Sequence, residues 1–84
     1  MTSEQIEHFL TSHMPEMKDK MVNINFKTRN AIRGFFPDTN DSEELKMKNF
    51  WRVITEGNLD SWNQTKSVSV TRIFNGSEIT KLKL

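Results

Sequence analysis

The chain contains no cysteine, which excludes disulfide staples, thiolate metal sites and a cysteine nucleophile together and leaves nothing to tie it to an oxidising compartment. Histidine is scarce as well. His8 and His13 lack the i,i+4 spacing of a shared helix face, so a zinc ion would need carboxylates for its remaining ligands, and no metal site is expected. No apolar run approaches the ~18 residues of a transmembrane helix, and the N-terminus has no basic segment leading into an apolar one. The expectation is a cytoplasmic protein without membrane association and without a cofactor. A Ser/His/Asp arrangement and a glycine-rich phosphate loop are also missing, so no catalytic residue is assigned and an enzyme is not expected.

What is present is enough to fold. The chain has 84 residues, 35% hydrophobic and 27% charged, with six Phe and two Trp. That composition is globular rather than disordered, and the length predicts a single domain, 1–84, with a modest core. A chain this small without staples gains stability if it oligomerises.

The net charge is only +1, yet its distribution is uneven. From Lys18 to Arg33 five basic residues face one acid, Asp38 to Glu44 holds four acids and no base, and from Lys66 to Leu84 four basic residues face only Glu78. Folding can therefore produce basic patches that the total conceals.

The organising stretch is Met21 to Phe36. Val22, Ile24 and Phe26 alternate with Asn23 and Asn25, the pattern of a strand with one apolar and one amide face. A polar turn with Lys27 and Arg29 leads to a second strand, Ala31 to Phe36, in which Gly34 marks a bend, because glycine weakens a strand interior unless the chain bends or another backbone approaches closely. Phe35 and Phe36 make both faces apolar beyond it, as where a sheet curls over its own core.

Before this hairpin, Ile6, Phe9, Leu10, Met14 and Met17 recur at helical spacing and predict an amphipathic helix over residues 3–13. Thr2 and Gln5 have capping-box spacing, Pro15 ends the helix, and Lys18 leads into the first strand. After the hairpin, Pro37 to Glu44 reads as a solvated turn. It lacks the glycine and closing glutamate of a calcium loop, and nothing supplies a cleft for a glycosidase-like acid pair. Leu45 and Met47 alternate with Lys46 and Lys48, which predicts a long third strand reaching Ile54 with a bulge near Asn49. Gly57 to Gln64 reads as a polar turn, with Trp62 packing beside Trp51. Val68 and Val70 start a fourth strand. A three-residue loop, Phe74-Asn75-Gly76 with Gly76 left-handed, then sets Val68 opposite Leu82 and Arg72 opposite Glu78 in a terminal hairpin. The expected fold class is mainly β with an N-terminal α-helix, residues 21–84 forming a five-stranded, strongly bent small barrel.

Specific residues resemble the Sm-like family. Val22, Ile24 and Phe26, the turn from Lys27 to Asn30, then Ile32, Gly34 and Phe36 follow its first signature. Phe74-Asn75-Gly76-Ser77-Glu78-Ile79 resembles its second, with Asn75 where arginine is usual. Asp38 and Asn40 lie nearer Gly34 than the family's closing motif does. The resemblance implies a homo-oligomeric ring of six or seven subunits that pair the fourth strand of one with the fifth of the next. It also implies single-stranded, uridine-rich RNA held by the two signature loops, at Asp38, Asn40, Asn75 and Gly76.

The residues themselves lean the same way. Lys27, Arg29 and Arg33 on the first hairpin, with Arg72, Lys81 and Lys83 near the end, form a candidate phosphate-tracking surface. A rival reading is an SH3-like module that holds a protein partner through exposed aromatics, Trp62 foremost.

Overall fold

A computed structural model describes residues 1–13 and 21–84. The elements run α1 (Ser3–Ser12), β1 (Val22–Phe26), β2 (Ile32–Phe35), α2 (Ser42–Met47), β3 (Phe50–Thr55), α3 (Leu59–Thr65), β4 (Arg72–Asn75) and β5 (Ile79–Lys83). Short 3-10 turns occupy Glu56–Asn58, Val68–Val70 and Gly76–Glu78. The five strands make one antiparallel sheet in the order β4-β3-β2-β1-β5.

The capping box forms as its spacing predicts. The Gln5 amide N–H donates to Thr2 Oγ1 at 3.2 Å, and the Thr2 N–H donates to Gln5 Oε1 at 2.9 Å. Two of the helix's unpaired N-terminal donors are thereby satisfied. Ile6 is fully buried in the core, and Phe9 and Leu10 pack against it. The expectations for Met14, Met17, Pro15 and Lys18 concern positions outside the described residues.

The first hairpin follows its alternation: Val22 pairs with Gly34, Asn23 with Arg33 and Ile24 with Ile32. Val22 and Ile24 are completely buried, and Val53, Ile79 and Leu82 join them in the core. Gly34 is explained by close approach. A Cβ there would run into the Ile54 carbonyl and stand 2.8 Å from Val53 Cγ1.

The sheet curls without closing into a barrel. Phe26 and Phe74 have ring centroids 5.1 Å apart although β3 and β2 lie between their strands. Three strand spacings of a flat sheet would put them ~14 Å apart. Yet β4 pairs only with β3 and β5 only with β1, so each presents an open edge among the described residues.

Five local expectations are corrected. Leu45 and Met47 belong to helix α2, because Glu43 and Glu44 in its first turn and Lys46 in its last suit a helix dipole, and four alternating residues are too few to settle the period. Met47 is 88% exposed, and the chain turns into β3 at Asn49, which has φ 59°, rather than through a bulge. The solvated turn thus ends at Asp41. Residues 57–64 are a 3-10 turn and α3, closed by left-handed Lys66, whose N–H donates to the Trp62 carbonyl at 2.7 Å. Val68–Val70 is a 3-10 turn, with Val68 47% exposed.

The terminal hairpin does not form either. Phe74 pairs with Trp51 and Arg72 with Val53 on β3, while Leu82 pairs with Ile24 and Lys81 with Asn25 on β1. Both strands find better-buried partners than each other. Gly76 is not left-handed, since no glycine has positive φ. It is needed because a Cβ would clash with the Asn49 side-chain amide, 2.6 Å from its Cγ. That amide accepts from Trp51 Nε1 at 2.9 Å and donates to the Met1 carbonyl at 3.1 Å, and Gly76 N–H donates to the Asn49 carbonyl at 2.7 Å.

Candidate nucleic-acid interface

The curl of the sheet decides which basic residues meet. The Lys27 N–H donates to the Glu78 carbonyl at 2.9 Å, which fixes the β1–β2 turn against the Gly76–Glu78 turn. From that turn the Arg29 guanidinium carbon lies 5.3 Å from the Phe26 ring centroid and 5.2 Å from that of Phe74. Arg72, two residues before Phe74 on β4, places its own guanidinium carbon 5.3 Å from the same Phe74 centroid. Lys27, Arg29, Arg72 and the loop at Asn75 thus occupy one end of the sheet. Lys27, Arg29 and Arg72 are exposed, Phe26 is half-buried and Phe74 is buried.

The other expected cations stand apart. Asn23 of β1 is flanked by Arg33 on one side and Lys83 on the other, and Asn25 is paired with Lys81. These side chains alternate with buried Val22, Ile24 and Leu82, so they form a row of amides and cations on the outer face. Arg33 is also drawn towards Glu56, at 3.7 Å. The phosphate-tracking surface expected as one is therefore two patches: an end cluster and an outer row.

Asp38 and Asn40 lie on the α2 side. Asp38 borders a cavity of about 430 Å³ whose apolar walls include Leu10, Phe36, Leu45, Phe50 and Trp51. Lys46 at this cavity bonds to Glu7 at 3.2 Å and Glu43 at 3.1 Å, and these carboxylates raise its pKa above the ordinary lysine value. Asn40 is exposed in the turn before α2. Phe50 lines the same cavity as Asp38 and pairs with Asn75 across β3 and β4. The Asn75 side-chain oxygen accepts from Ser77 N–H at 3.0 Å and Ser77 Oγ at 2.9 Å, which caps the 3-10 turn. Gly76 is buried.

Sequence reasoning missed the ion pair that Arg52, a residue lining the cavity, makes with Asp41. Arg52 Nη2 donates to Asp41 Oδ2 at 2.7 Å, Arg52 Nε donates to both Asp41 oxygens, and Thr39 Oγ1 donates to Oδ1 at 2.7 Å. These bonds, from Arg52 first, hold the Asp41 carboxyl well below the usual carboxylate range. Nothing in the acidic run marks Asp41 above its neighbours; only the fold selects it.

Trp62 does not pack beside Trp51. Trp51 is buried edge-on to Phe36, while Trp62 lies half-buried on α3 with Lys66 Nζ 5.4 Å from its ring centroid. Among the described residues no three His, Cys, Asp or Glu converge in a way that could hold a metal ion, and no helix is long and apolar enough to cross a membrane. Compared with protein-family models, curated proteins and solved structures, the chain matches none.

Proposed function

We propose that this protein is a small non-catalytic cytoplasmic binding protein that holds single-stranded RNA, with subunits assembled edge to edge in an Sm-like ring. The observation that carries the reading is the sheet itself. It curls in the order β4-β3-β2-β1-β5, with a 3-10 turn joining its two terminal strands and an open edge on each. An uncovered strand edge is a template for pairing with another chain, and here the two edges belong to different strands, so head-to-tail addition can continue around a ring. Ile73 on the β4 edge is 47% exposed, which favours an apolar contact there.

Three placements support RNA as the ligand. Phe50, paired with Asn75, lines the same cavity as Asp38; the end cluster gathers Lys27, Arg29 and Arg72; and the outer row carries Arg33, Lys81 and Lys83 among amides. Asn75 contributes an amide and no cation, so the neighbouring arginines carry the charge. The test is fluorescence anisotropy with a labelled oligouridylate over a range of salt. Each phosphate neutralised contributes a slope of about −0.7 in log affinity against log salt. A slope of several such units supports the reading, and salt-independent or absent binding removes it.

The SH3-like module remains the second reading because Trp62 is partly exposed on a helix outside the sheet. Its partner would be a protein, and loss of that partner on Trp62→Ala would separate it from a phosphate-dominated binder.

A further inference from the structure

We infer that Arg29 and Arg72 form a phosphate-binding clamp seated on Phe74, a discrete site within the end cluster. Two guanidinium groups lie within 5.3 Å of one ring centroid, and a second ring, Phe26, underlies Arg29. Each cation is attracted to the Phe74 ring, which therefore brings both to one aromatic seat. Neither arginine has a carboxylate partner among the described residues, whereas Arg33 and Arg52 each have one. Glu78 is the acid that its carbonyl bond to Lys27 brings to this turn, and its carboxylate makes no ion pair among the described residues. The site thus carries three exposed cations, Lys27, Arg29 and Arg72, against one acid.

A phosphate completes this arrangement better than a point anion. Neither guanidinium is engaged by a carboxylate among the described residues, and a tetrahedral oxyanion can accept from two such forks at once. The platform comes from the core: Phe74 is pinned opposite Trp51 on β3, so the seat of Arg72 is set by the strand and that of Arg29 by the β1–β2 turn. The site deepens the RNA reading by naming where a backbone phosphate docks, and it rests on that reading for its natural ligand.

The experiment follows the Arg Nε–Hε signals of the full chain by NMR while inorganic phosphate is added at low ionic strength, with sodium chloride as the parallel titration. The clamp predicts saturable shifts at Arg29 and Arg72 larger than at Arg33. Arg29→Gln and Arg72→Gln should each weaken phosphate roughly tenfold or more, and Lys in place of either Arg should restore only part of it. Backbone spectra of the variants confirm folding. Shifts no larger than those of Arg33, or matched by chloride, overturn the clamp. The same variants are then tested with oligouridylate. Unchanged RNA affinity overturns the clamp as the docking point while leaving the RNA reading intact; phosphate shifts without any RNA binding keep the clamp and remove that reading.

Discussion

The rings of Phe26 and Phe74 touch across the open side of the sheet, 5.1 Å between centroids and tilted by 47°, although their strands are not neighbours. This contact records the curl, and through Arg29 it ties the curl to the basic end of the molecule. Phe74→Ala should therefore cost about 3–5 kcal/mol of stability, the usual range for losing a buried aromatic. Urea unfolding followed by tryptophan fluorescence measures it.

Gly34 and Gly76 are both required by close approach, but against different neighbours. Alanine at Gly34 meets the Ile54 backbone, which is held in the sheet, whereas alanine at Gly76 meets the Asn49 side chain, which can move at the expense of its bonds to Trp51 and Met1. Gly34→Ala should lose about 1–3 kcal/mol or more. Gly76→Ala should lose less, and should expose Trp51 Nε1 to faster hydrogen exchange.

The first-hairpin half of this fold is legible in the sequence. Alternation from Val22 to Phe26 and the Thr2–Gln5 pair each express a local constraint, and each appears where expected, whereas Gly34, read as a bend, owes its identity to the approach of β3. The segments from Leu45 to Met47 and from Val68 to Val70 were ambiguous because three or four residues fit either period, and tertiary context decided them. Strand partnership is not local at all. Nothing near Phe74 says that its partner is Trp51 rather than the following strand. For the same reason Arg29 and Arg72, named as separate members of one basic surface, become neighbours only through the curl, while Arg33 is carried to the outer row.

Asp41 links acid to stability. Its carboxyl titrates lower in the folded chain than in the unfolded one, so its contribution is fully present above the unfolded carboxylate pKa of about 3.9 and fades as pH falls through that value towards the folded pKa. Asp41→Asn should lower the melting temperature at neutral pH and flatten the decline between roughly pH 4 and pH 2. The effect should be modest because solvent reaches the pair. An unchanged acid profile would show that other carboxylates dominate it.

Trp62→Ala should leave oligouridylate affinity within about twofold, since a stacking contribution from that ring would be lost at ~1–3 kcal/mol. A larger loss in anisotropy titrations would bring α3 into the binding surface.

The most direct test of the account is the mass of the 84-residue chain in solution by light scattering across concentrations. A stable species of six or seven times 9.9 kDa is the predicted result. A monomer at every concentration would contradict edge-to-edge assembly and, with it, the ring.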